Sequence, residues 1–206
     1  MPLFDSRQRA EAEAFAELTY CNPFSPLRIE LERRILGGEF VPLAQVWSLR
    51  LDQDSDNPNV NRLGERAIAL AETTRRRLRA VSSPDSVELR LYEDLVTYAL
   101  FHQYRNHLGE LARQPGDGKP TPIRFYHQFR QELQSFLAGA PATATMDAPG
   151  HLFALLFQIR RAFHHIYSCL VGGSLPAANL RSRIWESIFT WDMRRYRRAL
   201  YDRMGD

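Results

Sequence analysis

Among the side chains that could do chemistry, the six histidines come first, and His102 has the most suggestive neighbour. Tyr98 lies one helical turn before it, on the same face of an apolar stretch. A helical metal site needs ligands three or four residues apart, usually with carboxylates, and no two histidines have that spacing. The sequence therefore predicts no metal site, and it makes Tyr98 and His102 candidates for binding a small ligand or a haem iron. The alternative is a half-buried, hydrogen-bonded histidine that binds nothing.

A glycine-rich segment, "GDGKPTP", runs from Gly116 to Pro122 and invites comparison with phosphate-binding loops. Such a loop needs the spacing G-x-x-x-x-G-K-[ST] between a strand and a helix, so that backbone amides surround the phosphate. The spacing here is different, Pro120 lacks an amide hydrogen, and no strand is predicted before it. We therefore predict that this chain has no nucleotide site and binds no cofactor.

The segment "RRAFHH" separates Arg160 from His165 by four residues. It resembles the R-x4–6-H signature of HEPN-type helical ribonucleases. The resemblance implies that the histidine and the arginine would activate and stabilise attack by an RNA 2′-oxygen. The alternative is a helix edge whose arginine and histidine face solvent or an interface.

The composition limits the classes of partner and compartment. The 206 residues carry a formal net charge of only +3, and Lys119 is the single lysine, so arginine clusters such as 75–79 are weak evidence for nucleic-acid binding. Cys21 and Cys169 are far apart and form no disulfide framework. The N-terminus lacks the apolar core of a signal peptide, and two arginines and two histidines interrupt the apolar stretch 151–173. We expect a cytoplasmic protein that contacts neither a membrane nor nucleic acid directly.

Helical periodicity dominates the chain and predicts an all-α fold, a bundle-like domain of about seven helices. Proline and glycine mark two loops at 113–122 and 141–150, and residues 40–51 fit either a short strand or a helix. Serines or a threonine, followed in several cases by proline, give the start signals. The predicted helices are 6–20, 26–37, 60–80, 83–112, 121–139, 151–171 and 176 to near the end of the chain.

Helix 151–171 is predicted to be the most buried element, with the other helices packed around it. Its apolar residues recur at spacings of three and four, which places one continuous stripe toward the core. The predicted core residues are Leu152, Leu155, Leu156, Ile159, Phe163 and Ile166.

The end of the chain, residues 184–206, is predicted to continue as one amphipathic helix. Met193, Tyr196, Leu200 and Met204 recur at spacings of three, four and four and form an apolar stripe that arginines flank. Because such a stripe is stabilised mainly by packing, it must contact its own bundle or a second copy of the chain. We expect a homodimer with this helix at the interface.

The terminal segment "ESIFTWDMRRYRRALYDRMGD" resembles the lead-in to the AAA+ ATPase domain of sigma-54-dependent transcriptional activators. In that family a small hydroxyl residue, two residues and a methionine precede a basic amphipathic helix that runs into the ATPase. The family more often has Gly-x-Ser ahead of the methionine, where this chain has Ile-Phe-Thr. The residues that fit the family's positions are Thr190, Met193, Arg194, Arg195, Tyr196 and Leu200.

The resemblance implies that residues 1–183 form a helical regulatory domain and that residues 184–206 lead toward an AAA+ ATPase. The expected function is non-enzymatic control of that ATPase and, through it, of sigma-54 RNA polymerase. ATP and magnesium would bind only to the ATPase, beyond Asp206. Two alternatives are a HEPN-like RNA nuclease and a helical ligand-binding sensor unrelated to sigma-54.

Overall fold

Every regular element that the structure describes is a helix, which confirms the all-α prediction. The computed structural model describes residues 2–43, 57–81, 83–114, 122–140 and 149–197. The predicted ambiguous segment 40–51 lies mostly outside these ranges. The elements are α1 (Ser6–Tyr20), α2 (Pro26–Leu36) with a 3-10 turn after it (Gly37–Glu39), α3 (Pro58–Leu78), α4 (Ser86–Arg113), α5 (Tyr126–Leu137), α6 (Pro149–Cys169), α7 (Leu175–Ile188) and a short α8 (Met193–Arg195).

Aspartates cap two helices for which the sequence predicted serine caps. Asp5 precedes α1, where its carboxylate accepts from the Gln8 amide at 2.8 Å and the Gln8 side chain accepts from the Asp5 amide. Asp85 precedes α4 and accepts from the amides of Val87 and Glu88 at 3.0 and 3.1 Å. A carboxylate satisfies the free amides of a helix start and complements the helix dipole. The caps therefore lie one and two residues from the predicted serines.

The centre of the bundle is α4, and the prediction that helix 151–171 occupies it is wrong. Helices α1, α3, α5 and α6 all pack against α4. Residues 92–100 are all buried, so this stretch is covered on every side. The sequence did not indicate that α4 is central, because Glu93, Asp94 and Thr97 interrupt its apolar pattern. All three of these polar residues are nevertheless buried.

Helix α6 supplies the apolar stripe that its sequence predicts. The six predicted core residues are all buried, which confirms that part of the prediction. The helix approaches α4 so closely that a Cβ added at Gly109 of α4 would come within 2.9 Å of the Arg160 guanidinium. Phe163 extends the stripe into an aromatic cluster with Phe24 and Trp185, whose ring centroids lie 4.7 to 6.0 Å apart.

The predicted single terminal helix is wrong, because α7 ends at Ile188 and the chain turns. Thr190 and Trp191 have φ angles of 52° and 65°, a left-handed conformation that a right-handed helix cannot contain. Asp192 then caps a new turn of helix, accepting from the Arg195 amide at 3.0 Å. The break redirects the chain back toward the bundle.

Two further predictions concern this end of the chain. The domain boundary predicted between residues 183 and 184 falls inside α7, so the structure has no break there. Leu200 and Met204, the second half of the predicted stripe, lie outside the described residues.

Candidate functional site

Tyr98 and His102, the two residues predicted to bind a ligand, line the same cavity. This central cavity has a volume of about 60 Å³ and lies where α4 meets α1, α2, α3, α6 and α7. Its apolar wall is formed mainly by Leu18, Leu156, Ile159, Phe163, Trp185 and Met193. Its polar groups include Cys21, Arg28, Tyr98, His102 and Arg105. The structure thus brings the predicted pair together in an apolar chamber with a few convergent polar groups, as binding pockets have.

Arg28 lines the cavity and forms a buried ion pair with Glu32 on the same helix, α2. Its Nε lies 2.7 Å from Glu32 Oε1, and both residues are buried. The Cys21 thiol lies nearby. Burial, partly offset by the charge of Arg28, raises the pKa of Cys21 to about 11. The thiol is therefore protonated at neutral pH and is not a nucleophile there.

The hydroxyl of Tyr98 is buried, and among the described residues it has no hydrogen-bond partner of normal geometry. The Arg28 guanidinium acts on this hydroxyl through its charge and as a hydrogen-bond donor, so the O–H group itself still lacks an acceptor among the described residues. Burial nevertheless raises the pKa of Tyr98, so the hydroxyl stays protonated and can donate. A buried donor with unmet hydrogen-bonding capacity is uncommon and destabilising. Tyr98 is therefore the clearest polar group that a bound molecule could satisfy.

His102 is held where α4 passes close to the backbone of α3. A Cβ added at Gly64 would come within 2.8 Å of His102 Nδ1, so the ring needs glycine there. The ring also packs on Tyr98, with centroids 4.6 Å apart. Burial, together with the charges of Arg28 and Arg105, lowers the pKa of His102 well below its usual value. His102 is therefore neutral at pH 7.

Within the described ranges, the charges that act on His102 are those of Arg28 and Arg105. Among the described residues, no three His, Cys, Asp or Glu side chains are placed to hold a metal ion together. In the same part of the chain, no helix combines the length and the apolar character needed to cross a membrane.

Arg160 and His165, the pair that resembles the HEPN signature, are not brought together. Arg160 is buried against Gly109 of α4, whereas His165 is exposed. Five residues of α-helix turn a side chain through about 140° from its starting direction, which accounts for the separation. The described structure shows no shared site for these two side chains.

Residues 189–197, here called the C-terminal segment, dock on the bundle of their own chain. Met193 is 5% exposed and forms part of the wall of the central cavity. Tyr196 is 4% exposed and packs edge-on against Phe189, with ring centroids 5.2 Å apart. His151 on α6 lies 3.0 Å from the carbonyl oxygen of Arg197. The first two residues of the predicted stripe therefore have a partner within the same chain.

Asp94 on α4 ties the C-terminal segment to α1 in a cluster of Tyr20, Asp94, Arg194 and Arg197, here called the Asp94 junction. Its two carboxylate oxygens accept from Arg194 Nη1 at 2.9 Å and from the Tyr20 hydroxyl at 2.6 Å. Arg197 lies 3.6 Å from the same carboxylate and donates to the Tyr20 hydroxyl. Burial, partly offset by Arg197, raises the pKa of Tyr20, which keeps this hydroxyl protonated.

Arg194 makes two more contacts at the junction. Its guanidinium lies over the Tyr20 ring, 4.2 Å from the centroid, and donates to the carbonyl oxygen of Ala16 at 2.7 Å. Its neighbour Arg195 is exposed, and so is Thr190. The residues singled out by the resemblance are therefore divided, because Met193, Arg194 and Tyr196 contact the bundle and the other two described ones are exposed.

Sequence reasoning missed Tyr20, Asp94, Arg28 and Glu32. A signal existed for the last two, since they lie four residues apart on a predicted helix and such pairs interact. For Asp94 the only signal was an acid inside the apolar stretch of α4, where a buried charge needs a partner. Nothing in the sequence indicated which arginine that partner would be.

No family model, no curated protein and no solved structure matches this chain. Similarity therefore assigns no function to the central cavity or to the Asp94 junction. The central cavity and the Asp94 junction are connected by two consecutive residues of the C-terminal segment. Met193 lines the cavity, and Arg194 is bound at the junction.

Proposed function

We propose that this chain is a non-catalytic regulatory domain, which senses a small ligand in the central cavity and passes its occupancy to the C-terminal segment. One observation carries the proposal. Met193 forms part of the cavity wall, and the next residue, Arg194, is bound at the Asp94 junction. A molecule in the cavity would contact or displace Met193, so the docked and undocked segments would bind that molecule with different affinities. Such a difference is what allows a ligand to shift a conformational equilibrium.

The resemblance to sigma-54-dependent activators supports a proposal for the domain that receives the signal. In this proposal the C-terminal segment leads into the AAA+ ATPase of such an activator, which binds ATP and magnesium and acts on sigma-54 RNA polymerase. The gene sequence after Asp206 tests this part. We expect a strand followed by G-x-x-x-x-G-K-[ST]. A stop codon or an unrelated domain at that place would contradict the sigma-54 assignment and leave the coupling to be tested separately.

The coupling itself is testable with xenon, which enters apolar cavities without needing polar contacts. We expect xenon pressure to change hydrogen–deuterium exchange in residues 189–197 at least about twofold, because Met193 lines the space that xenon would fill. Exchange in α5, which contributes no residue to the described cavity wall, serves as the internal control. Unchanged exchange in the segment, with xenon binding shown by the protein's methyl NMR signals, would refute the coupling.

Adjacent arginines offer a matched pair of variants for the junction. Arg194→Ala removes contacts to Asp94, Tyr20 and Ala16, whereas Arg195→Ala changes an exposed side chain. We expect the first variant to increase exchange in residues 189–197 about tenfold and the second to leave it within about twofold, as surface changes usually do. Equal effects of the two variants would show that the junction does not hold the segment.

The second candidate function is a helical ligand sensor unrelated to sigma-54. It is favoured by the cavity and the Tyr98 hydroxyl, which owe nothing to the terminal resemblance. The gene sequence after Asp206 separates it from the first candidate.

The HEPN-like alternative has no comparable support, since Arg160 is buried and His165 is exposed. We expect no RNA cleavage by the purified chain, and cleavage lost on Arg160→Ala and on His165→Ala would reverse that ranking.

The expected homodimer stays a prediction, although its original reason is weaker. Met193 and Tyr196 already pack on their own bundle. Trp191, at 69% exposed, is the apolar residue of the segment most available to a second copy. We expect light scattering to give twice the chain mass, and Trp191→Asp to return it to the monomer mass without loss of helicity. A monomer at high concentration would contradict the prediction.

A further inference from the structure

Cys21, Arg28 and Tyr98 form one corner of the central cavity wall, here called the polar corner. The Arg28 guanidinium acts as a hydrogen-bond donor toward both the Cys21 sulfur and the Tyr98 oxygen, which places the three polar groups together. Arg28 also lies 2.7 Å from Glu32, so its positive charge is balanced within its own helix. The polar corner therefore offers hydrogen bonds without an uncompensated charge.

One donor of the polar corner has no acceptor. The Cys21 thiol donates to the carbonyl oxygen of Leu18 at 3.4 Å. The Tyr98 oxygen receives Arg28, but the hydrogen of this buried hydroxyl meets no acceptor among the described residues. Because buried donors are normally satisfied, a ligand atom that accepts from Tyr98 would gain more here than at a group already bonded.

The volume of the cavity limits a ligand to two or three heavy atoms. A dry apolar cavity of ~150 Å³ accommodates the six carbons of benzene, which is about one carbon per 25 Å³. The central cavity, at about 60 Å³, therefore admits a molecule no larger than ethanol without rearrangement. Since even the most efficient small ligands gain a limited free energy per atom, a molecule of this size binds with a dissociation constant of about 1 mM or weaker.

The charges at the wall favour a neutral ligand over an ion. An anion would lose its hydration to meet Arg28, a buried cation that Glu32 already neutralises. Arg105 also lines the cavity, but it is half-buried and donates to the Asn61 side-chain oxygen at 2.7 Å, so water screens its charge. Most of the remaining wall is apolar and suits carbon atoms.

We propose that the central cavity binds a neutral oxygen compound of one or two carbons, an alcohol or an aldehyde, an inference that rests on the proposed function. The oxygen of the ligand accepts from the Tyr98 hydroxyl, and its carbons pack on the apolar wall to which Met193 contributes. The regulatory domain would then respond to such a compound when it accumulates to about millimolar concentration.

Titration of the whole chain, followed by its methyl NMR signals, tests the ligand class. The reporter methyl groups belong to Leu18, Leu156, Ile159 and Met193, which line the cavity, and the leucines of α5 serve as the control. The ligands are ethanol and acetaldehyde. Ethane is the two-carbon molecule without oxygen, formate is an anion of three heavy atoms, and 1-butanol is an alcohol too long for the cavity.

We expect ethanol and acetaldehyde to shift the reporter signals in a saturable way below about 100 mM, and to leave the α5 signals unchanged. Formate and 1-butanol should each bind at least about threefold more weakly than ethanol, because one must lose the hydration of a charge and the other exceeds the space. Formate or 1-butanol binding as tightly as ethanol would overturn the proposal. So would shifts of equal size in the reporter and α5 signals.

Two tyrosines of α4 provide matched variants. Tyr98→Phe removes the hydroxyl of the polar corner, whereas Tyr104→Phe removes a buried hydroxyl that also lacks a described partner but does not line the described cavity wall. We expect Tyr98→Phe to weaken ethanol and acetaldehyde about fivefold relative to ethane, and Tyr104→Phe to leave all three within about twofold. Equal effects of the two variants would overturn the role of Tyr98. If Tyr98→Phe does not fold, the ligand series on the unchanged chain still decides the ligand class.

The failure of this inference and the failure of the proposed function give different results. Ethanol that binds with the expected selectivity and leaves hydrogen exchange in residues 189–197 unchanged would reject the regulatory proposal and leave the ligand class standing. Xenon that alters this exchange, while neither ethanol nor acetaldehyde shifts the reporter signals, would reject the ligand class and leave the regulatory proposal standing.

Discussion

The Arg28–Glu32 pair lies within one helix, whereas the Asp94 junction joins α1, α4 and the C-terminal segment. Both clusters place charges in the interior, but they differ in how much water reaches them. The side chains of Arg28 and Glu32 are 9% and 1% exposed, and those of Asp94 and Arg194 are 10% and 40% exposed. The Arg28–Glu32 pair is shielded from solvent, whereas water reaches the Asp94 junction on the side of Arg194.

This difference separates a structural cluster from one that can be released. Arg28 and Glu32 cannot part without unfolding α2 or exposing the cavity wall, because they lie one turn apart on the same helix. Arg194 can leave Asp94 if the C-terminal segment undocks, since partly solvated ion pairs are individually weak. Local undocking of a terminal segment usually costs less than global unfolding. If the proposed function holds, the signal would therefore act on the Asp94 junction and not on the pair in α2.

The largest expected effect comes from breaking the Arg28–Glu32 pair. Arg28→Met removes the charge that offsets Glu32 in the interior and should lower the free energy of unfolding by about 3–5 kcal/mol. Chemical denaturation with guanidinium chloride measures it. The double variant Arg28→Met with Glu32→Met is the control, because replacing a buried pair by apolar groups of similar volume is often neutral. A double variant as unstable as the single one would show that the charge pair is not the cause.

A core substitution beside the same cavity should have a similar or smaller effect. Leu156→Ala deletes part of a side chain that is 1% exposed and lines the central cavity. We expect the free energy of unfolding to fall by about 2–5 kcal/mol, the usual range for a buried leucine. A thermal melting curve indistinguishable from that of the unchanged protein would show that α6 does not contribute its stripe to the core.

A smaller global effect is expected at the Asp94 junction. Asp94→Asn keeps the side-chain shape and removes the charge that Arg194 and Arg197 share, which should cost about 1–3 kcal/mol. The loss should be local, with hydrogen exchange accelerated in residues 189–197 before any change in α4. Uniform acceleration through the whole bundle would show that the two clusters do not differ in the way described.

The smallest effect concerns the titration of His102. Burial and the charges of Arg28 and Arg105 lower its pKa in the folded chain, so only the unfolded chain binds a proton on it near pH 6.5. The free energy of unfolding should therefore fall as the pH drops from about 6.5 toward the lowered pKa, at up to about 1.4 kcal/mol per pH unit. His102→Gln should remove this contribution. Identical pH dependence of stability in the two proteins would contradict the burial of the neutral ring.

Local sequence rules predicted most of the helices and one face of the core. Helix α1 has the predicted bounds, and the apolar stripe of α6 is buried as its spacing indicates. Both follow from interactions within about one helical turn. The rules failed where a residue's role depends on distant partners. The run 92–100 reads as amphipathic with polar interruptions, yet it is buried throughout because four helices surround α4.

Only part of the candidate site could be predicted from the sequence. Tyr98 and His102 could be paired from their spacing of four, since such residues share a helix face. Their cavity could not be foreseen, because its described walls come from six helices and the C-terminal segment. The terminal helix was extended too far for a related reason. Helix propensity favoured continuation, and packing of Met193 and Tyr196 on the bundle instead required the turn at Thr190 and Trp191.

The sequence by itself determined the all-α class, most of the helices and the residues of the α6 stripe, because capping and periodicity act over a few residues. Only the tertiary structure decided that Asp94 meets Arg194, which lies 100 residues away along the chain. It likewise decided that Met193 closes the cavity that contains Tyr98. A charge buried in α4 requires a partner of opposite charge. Which arginine becomes that partner depends on the path of the backbone, and the local spacing of residues does not encode that path.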